Sequence, residues 1–326
     1  MKENFWQKLN KPFFVLAPMA NVTDFAFRQI VAKCGRPDVF YTEFLSCDGI
    51  AHDKTRFEKE LFFEKSEEPI VVQFFSSKPE NFYKCAQLAQ ELGYDGIDIN
   101  MGCPDRSVEK QGAGAALIKN PKLAQEIIKE TKRGAGNLPV SVKTRIGYNK
   151  IITKEWMSCL LETEPAAIAI HGRTRKEMSL VPVHWDEINL ASEMTKSAET
   201  LIIGNGDVAD LKDAKQKAND YGLDGIMVGR GIFANPWFFN ENINMTDIKP
   251  EQRIKLMLEH INLFIKLWGP DKNFDAMKKF FKVYISGPRS AEGFGETSWP
   301  GAKELRIKLM TAKNKQEVVD ILSKTL

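Results

Sequence analysis

The sequence contains no run of about 18 or more apolar residues, the length that a membrane-spanning helix requires, although 43% of its 326 residues are hydrophobic. Its first residues, Met1-Lys2-Glu3-Asn4-Phe5-Trp6, have neither a long apolar core nor a small-residue cleavage site, so we expect no signal peptide. Low-complexity tracts are also absent. These absences predict a globular cytoplasmic protein with no membrane partner.

Cysteine is scarce, and its spacing forms no familiar motif. There are five cysteines, an odd number, and no two of them have the C-x-x-C spacing. This argues against both a disulfide framework and a zinc site, and it fits a reducing compartment. The five positions are Cys34, Cys47, Cys85, Cys103 and Cys159.

Charge is nearly balanced over the whole chain, at a net +3, but it is unevenly distributed. The segment from Ile248 to Leu326 carries 15 Lys and Arg against 9 Asp and Glu, whereas the rest of the chain carries 31 against 34. A basic segment on a slightly acidic body is typical of a surface that meets a polyanion. A solvated, lysine-rich helical surface would give the same composition.

Apolar runs of strand length recur along the chain, with helical patterns between them. Eight such units predict an α/β fold, a closed (β/α)8 TIM barrel of parallel strands. A doubly wound open sheet is the competing fold, but it normally carries a glycine-rich turn after its first strand, and here that strand ends in Ala17-Pro18-Met19-Ala20. The predicted strands are Phe13–Ala17, Val39–Glu43, Ile70–Phe74, Gly96–Asn100, Val140–Arg145, Ala167–His171, Leu201–Gly204 and Gly225–Gly229.

Predicted helices lie between these strands and follow the last one. One helix is predicted over Glu80–Gly93, since Pro79 is typical of a helix start and Gly93 of a helix end. A second is predicted over Pro121–Arg133, with Asn120 as its N-cap, and a third over Asp210–Tyr221. Beyond Gly231 only amphipathic helical patterns occur, so we expect a barrel over residues 1–245 and a small all-helical domain over residues 246–326. The predicted tail helices are Glu251–Leu267, Asp275–Ile285, Ala302–Met310 and Gln316–Lys324.

The fourth predicted strand ends at Asn100 and continues into Met101-Gly102-Cys103-Pro104. A proline cannot continue the strand ladder, so Cys103 lies where a buried strand meets a loop. Such a position presents one reactive side chain to a pocket. A small buried thiol that only fills space is the alternative.

Polar residues end nearly every predicted strand. Catalytic residues of a (β/α)8 barrel lie at the carboxyl ends of its strands, and a purely structural barrel has no reason to place polar groups there so often. The residues at these ends are Pro18, Met19, Ala20, Glu43, Gln73, Asn100, Cys103, Lys143, Arg145, His171, Arg173, Asn205, Gly206, Asp207, Gly229 and Arg230.

Two features of these ends indicate a phosphate-bearing flavin, one for its phosphate and one for its ring. The glycine-flanked turns Gly204–Asp207 and Val228–Gly231 follow the last two strands, where this fold holds phosphates. Lys143 lies on the fifth predicted strand beside the apolar residues Val140 and Val142, and a lysine there is costly unless an anionic or electron-rich partner meets it. A reduced flavin is such a partner, and Gln73 could hydrogen-bond its ring edge.

Together these motifs resemble the tRNA-dihydrouridine synthase family. The resemblance covers the whole barrel in order, and the basic tail is similar, more loosely, to the helical RNA-binding domain of that family. The segments that carry it are Ala17–Asp24 with Phe27-Arg28, Tyr41–Glu43, Gln73-Phe74, Asn100–Pro104, Gly112–Ala115, Val142–Arg145, His171–Arg175, Gly204–Asp207 and Gly229–Gly231.

The resemblance implies a specific reaction and specific roles. NADPH would reduce FMN, and hydride would pass to C6 of a uridine flipped out of tRNA, with Cys103 as the general acid that protonates C5. Asn100 and Arg145 would bind the uracil edge. Apart from the resemblance, we expect a monomer. The residues implied to hold FMN are Pro18, Met19, Ala20, Gln73, Lys143, His171, Asn205, Gly206, Asp207, Gly229 and Arg230.

Two segments depart from the family pattern. Ser179 stands where the family often has a substrate-contacting tyrosine, and Phe280 ends Met277-Lys278-Lys279-Phe280 where the family usually has histidine. Both departures bear on RNA docking, so the target uridine cannot be carried over from relatives.

Three other functions are consistent with parts of the sequence. The same chemistry could act on ribosomal RNA, because site choice depends on docking. A small-molecule FMN oxidoreductase of the dihydroorotate dehydrogenase type would share the barrel but has no need of the basic tail. A non-enzymatic RNA-binding protein would need neither Cys103 nor Lys143 nor His171.

Overall fold

Eight parallel strands form one sheet in the computed structural model, which describes residues 4–243, 247–285 and 301–324. The order of the strands around the sheet is β1-β8-β7-β6-β5-β4-β3-β2, which confirms the predicted barrel. The strands are Phe13–Leu16 (β1), Phe40–Ser46 (β2), Ile70–Phe75 (β3), Gly96–Met101 (β4), Val140–Arg145 (β5), Ala167–His171 (β6), Leu201–Asn205 (β7) and Gly225–Val228 (β8).

The sheet closes between β1 and the residues that enter β2. The N–H of Leu16 donates to the carbonyl of Val39 at 3.1 Å, and the N–H of Asp38 donates to the carbonyl of Phe14 at 2.8 Å. Val15 and Val39 form a parallel bridge between the two segments. Since β1 also pairs with β8, the strands form a complete ring.

Helices follow the strands, and only helices and turns follow β8 in the part of the chain that the structure describes. Gly93 ends α3 in a left-handed conformation with φ at 85°, and the side chain of Asn120 accepts the N–H of Leu123 at the start of α5, as predicted. The helices are Phe25–Cys34 (α1), Cys47–His52 (α2), Pro79–Leu92 (α3), Arg106–Glu109 (α4), Pro121–Ala135 (α5), Thr153–Leu161 (α6), Trp185–Met194 (α7), Leu211–Asp220 (α8), Gly231–Ala234 (α9), Pro250–Trp268 (α10), Asp275–Ile285 (α11), Ala302–Leu309 (α12) and Lys315–Ser323 (α13). Within the described residues, no helix is both long and apolar enough to cross a bilayer.

Alternate strand positions fill the interior of the barrel. Successive side chains of a strand point to opposite faces, and the buried cluster inside the ring takes every second residue, for example Ala167 and Ala169 of β6 and Leu201 and Ile203 of β7. One step further along the same faces, His171 and Asn205 replace apolar residues. The interior therefore changes from apolar to polar at the carboxyl ends of the strands.

The chain packs into two compact units that do not follow its linear order. One contains the residues up to Thr23 together with Pro37–Gly229, and the other contains Asp24–Arg36 and the described residues from Arg230 onward. The helix α1 thus groups with the C-terminal helices. The predicted domain boundary between residues 245 and 246 lies outside the described residues.

The second unit is held by aromatic packing and by contacts between α1 and α10. The ammonium of Lys33 pairs with Glu259 at 2.5 Å, and the indole N–H of Trp268 donates to Asp24 at 2.8 Å. Phe280, one of the departures from the family pattern, is 2% exposed, and its ring centroid lies 5.1 Å from that of Phe27. Phe280 is therefore a core residue of this unit.

Candidate active site

The strand register places the predicted site residues side by side. Asn100 on β4 is level with Lys143 on β5, Arg145 is level with His171 on β6, and His171 is level with Asn205 on β7. Because all eight strands are parallel, these side chains lie at one rim of the barrel. The structure thus brings together residues that are far apart in sequence.

Lys143 is a half-buried cation with one amide acceptor. Its ammonium donates to Asn205 Oδ1 at 3.1 Å, its single hydrogen-bond partner among the described residues. The amide of Asn205 is oriented by its own bond to the carbonyl of Met227 at 2.8 Å. Burial lowers the pKa of Lys143 to about 8, and the charge of Arg145 acts in the same direction. Such an ammonium is suited to an anionic or electron-rich ligand.

The loop that carries Cys103 is held by Asn100. The Oδ1 atom of Asn100 accepts the N–H of Gly102 at 3.1 Å and the N–H of Cys103 at 2.9 Å. Burial raises the pKa of the half-buried Cys103 thiol, although the N–H of Asp105 and the charge of Arg145 oppose this effect. The thiol therefore keeps its proton at neutral pH, as a proton donor must.

Arg145 joins two loops of the rim. Its Nε donates to the carbonyl of Gly102 at 2.8 Å, and its Nη1 donates to the carbonyls of Thr174 and Met178 at 3.2 Å each. Burial lowers the pKa of Arg145 to about 10, so the side chain remains cationic at neutral pH. Nη2 has no partner within the described ranges and is available to a ligand. Ser179, the other departure from the family pattern, is exposed beside Met178.

Arg173 organises the rim after β6 and β7. The buried guanidinium donates to the carbonyl of Val181 at 2.6 Å, lies 3.3 Å from His171 Nε2 and pairs with the carboxylate of Asp207. Because a guanidinium only donates, Nε2 of His171 is the acceptor. Asp207, a predicted cofactor residue, is thus the counter-ion of Arg173. The sequence had placed Arg173 at the rim but had indicated no role for it.

The other predicted phosphate-side residues lie on tight turns. Gly206 is buried with φ at 138°, a conformation that favours glycine. A Cβ on Gly229 would meet the side chains of Ala17 and Met19 at 3.8 Å each, an ordinary van der Waals contact, so Gly229 lies beside the loop after β1. Arg230 is exposed and is the first residue of the second unit.

The loop after β1 is held by two polar side chains. The N–H of Met19 donates to Thr23 Oγ1 at 2.9 Å, and the N–H of Asn21 hydrogen-bonds the carboxylate of Glu43. Pro18 in this loop is buried, Met19 is half-buried and Ala20 is exposed. Glu43, which the sequence placed at the rim, therefore positions the predicted cofactor loop.

Asp98 is a buried carboxylate that the sequence analysis missed. It accepts hydrogen bonds from Gln73 Nε2 and from Ser141 Oγ, each at 2.6 Å. Gln73 in turn accepts from Asn100 Nδ2 at 2.9 Å. The signal was present in the sequence, because Asp98 and Asn100 are two residues apart on one strand and so share a face.

The whole chain is similar to proteins of one family. The sequence profile of the family described as Dihydrouridine synthase (Dus) matches residues 15–325. A probable tRNA-dihydrouridine synthase of Staphylococcus aureus (strain MRSA252) is 41% identical over 330 residues, which is 99% of this chain and 95% of the relative. Probable tRNA-dihydrouridine synthase 2 of Bacillus subtilis (strain 168) is 40% identical over 328 residues, 99% of this chain and 96% of the relative.

Solved structures share the fold at low sequence identity. Histamine dehydrogenase from Rhizobium sp. 4-9 superimposes with a TM-score of 0.53 at 12% identity, over 77% of this chain and 48% of that one. An amine oxidase for 6-hydroxypseudooxynicotine from Pseudomonas geniculata N1 gives 0.54 at 13%, over 74% of this chain and 50% of that one. At such identities the likeness concerns the barrel itself.

Proposed function

The chain belongs to the dihydrouridine synthase family and is a flavin-dependent oxidoreductase, and on that premise we propose that it reduces uridines of tRNA to 5,6-dihydrouridine. The proposal includes FMN as the resident flavin, NADPH as the reductant and Cys103 as the general acid. The observation that carries it is the presence, at one rim, of a thiol that keeps its proton and of a half-buried cation that lacks a counter-ion within ion-pair distance among the described residues.

The residues at the rim fit a flavin. The ammonium of Lys143 is suited to the N1–C2=O edge, which becomes anionic on reduction. When bound, FMN supplies the hydride that NADPH has delivered to it. The residues proposed to hold it are Pro18, Met19, Ala20, Gln73, Lys143, His171, Asn205, Gly206, Asp207, Gly229 and Arg230.

The chain's own residues act on the uracil ring. Reduction adds a hydride at C6 and a proton at C5, and Cys103 donates that proton as charge builds on the ring. Arg145, which stays cationic and has Nη2 available, stabilises the charge that develops on O4. Asn100 keeps one amide hydrogen beyond its bond to Gln73 and can donate it to the uracil edge. The target base must first leave its stack to reach the rim.

The test is a reconstituted reaction. Purified protein, FMN, NADPH and unmodified tRNA should yield dihydrouridine, measured by mass spectrometry of the nucleosides. Cys103→Ala should lower the rate by about 10²-fold or more, because a general acid contributes about 10²–10⁴-fold, while FMN binding is retained. Cys159→Ala is the matched control, since Cys159 is the other partly exposed cysteine.

Three outcomes are distinguishable. An unchanged rate in Cys103→Ala contradicts the general-acid role. Product in ribosomal RNA alone keeps the chemistry and changes the substrate. Turnover of free pyrimidines with none in RNA contradicts the proposed function.

A further inference from the structure

We propose that Asp98 is a positioning residue of this site, which holds the Cys103 loop through a directed chain of side-chain hydrogen bonds. That this positioning serves catalysis rests on the proposed function. That Asp98 holds the Cys103 loop in place does not, and it can be tested without cofactor or RNA.

The chain of bonds runs between two strands, β4 and β3, and into the loop after β4. Asp98 on β4 is fully buried and is level with Gln73 on β3. Gln73 Nε2 donates to Asp98 Oδ2 at 2.6 Å, and Asn100 Nδ2 donates to Gln73 Oε1 at 2.9 Å. Asn100 Oδ1 then accepts the N–H groups of Gly102 and Cys103. The buried end of the chain is thus three bonds from the reactive residue.

The carboxylate gives this chain one direction. A carboxylate only accepts hydrogen bonds, whereas an amide side chain can donate from one end and accept at the other. Gln73 must therefore present its NH₂ group to Asp98 and its oxygen to Asn100. Asn100 must in turn present its NH₂ group to Gln73, which leaves its oxygen for the two N–H groups of the loop. Burial raises the pKa of Asp98 to about 6, so the group still accepts as a carboxylate above neutral pH.

The second oxygen of Asp98 does not reach the loop. Asp98 Oδ1 accepts from Ser141 Oγ at 2.6 Å, and Ser141 lies 3.4 Å from the hydroxyl of Tyr41. This side of the carboxylate anchors Asp98 to the barrel interior. Ser141 therefore provides a matched control, because its loss removes an equally buried bond to the same carboxylate outside the chain to Cys103.

The experiment compares loop protection in variants of the apoprotein. In Asp98→Ala the NH₂ group of Gln73 loses its acceptor, and we expect hydrogen exchange at the Gly102 and Cys103 amides to rise about tenfold. Alkylation of Cys103 by iodoacetamide, in a Cys159→Ser background, should rise similarly. Asp98→Asn keeps an acceptor oxygen and should restore most of the protection, and Ser141→Ala should leave the loop unchanged. Gln73→Leu breaks the chain at its middle and gives the same test if Asp98→Ala does not fold.

The outcomes separate this inference from the proposed function. Wild-type exchange and alkylation rates in folded Asp98→Ala or Gln73→Leu overturn the inference, even if the protein makes dihydrouridine. A loosened loop supports it, even if the protein makes none. In an active enzyme, Asp98→Ala should slow uridine reduction more than flavin reduction by NADPH, whereas a merely structural role would lower both through loss of folded protein.

Discussion

The fold weakens the positive charge of Lys143, because burial lowers the pKa of its ammonium to about 8. An ammonium loses solvation inside a barrel, and only part of that loss is recovered from the amide of Asn205. The nearby charges act in both directions, since Arg145 lowers the pKa of Lys143 whereas Asp98 and Cys103 raise it. The ammonium of Lys143 therefore loses its proton easily in the free site, and a ligand that accepts a hydrogen bond from it raises its pKa.

This gives a pH dependence for FMN binding. The pKa of Lys143 in the free site is about 8, and an accepting ligand raises it, so the affinity should fall as the pH rises through about 8, by up to about tenfold per pH unit. Fluorescence titration of FMN from pH 6.5 to 9.5 measures it. Lys143→Met should remove this fall in affinity, whereas Lys122→Met, at an exposed lysine, should keep it. An equal fall in Lys143→Met would contradict the assignment of the pH dependence to Lys143.

Single residues of the site differ in how far the sequence alone identifies them. Cys103, Lys143 and His171 are predictable because they lie at or near the carboxyl ends of apolar strands, where a barrel places its catalytic residues. Asp98 was missed because it stands one step deeper, inside a run dominated by Ile97 and Ile99. The Arg173–Asp207 pair was missed because the two residues come from different strand ends, and sequence spacing carries no information on their distance.

At the scale of elements, α3 and α5 approach each other unusually closely. Gly134 of α5 is buried, and a Cβ there would lie 3.0 Å from two backbone atoms of Tyr83 on α3. The guanidinium of Arg133 covers the ring of the same tyrosine at 4.3 Å from its centroid. The glycine is thus needed for the separation between the two helices.

Gly134→Ala should destabilise the protein, against the usual trend. In a free helix the change favours folding by about 1 kcal/mol, but here the methyl group forces the helices apart, at a cost of about 1–3 kcal/mol. The urea midpoint of unfolding measures the net effect. The exposed Lys129→Ala on α5 should stay within about 0.5 kcal/mol of the parent, and a stabilised Gly134→Ala would show that the helices yield without strain.

Element existence was predictable from the sequence, and element ends were less so. All eight strands were predicted from apolar runs, but β2 continues to Ser46 instead of stopping at Glu43. The register between β2 and β3 shifts between Tyr41 and Phe44, which breaks the alternation of side chains that marks a strand. Such an irregularity depends on pairing with the neighbouring strand, so the alternation of apolar and polar residues along β2 does not predict it.

At the scale of the whole molecule, the positive charge is concentrated in the segment from Ile248 onward, with 15 basic against 9 acidic residues. In the described part of that segment, exposed lysines such as Lys303 and Lys308 lie on α12. Their ammonium groups are free to meet phosphates, because neither takes part in an ion pair among the described residues. The affinity for tRNA should therefore depend on ionic strength.

The salt dependence can be assigned to this surface. The double variant Lys303→Gln, Lys308→Gln should reduce the slope of log affinity against log salt by about 0.7–0.9 for each lost phosphate contact. Filter binding of tRNA across KCl concentrations measures it. The control is Lys122→Gln, Lys129→Gln on α5, which should leave the slope unchanged. A slope that falls equally in both double variants would mean that α12 has no special part in docking.

The grouping of α1 with the C-terminal helices has a consequence for how the protein is made. Lys33 and its partner Glu259 are 226 positions apart, so a ribosome adding about 5–20 residues per second needs about 10–50 s to deliver the second after the first. During that interval α1 lacks α10, the helix with which it packs in the finished protein. The native contacts between these two helices therefore form only after the last third of the chain begins to emerge, and no single cut in the finished polypeptide separates the two units intact.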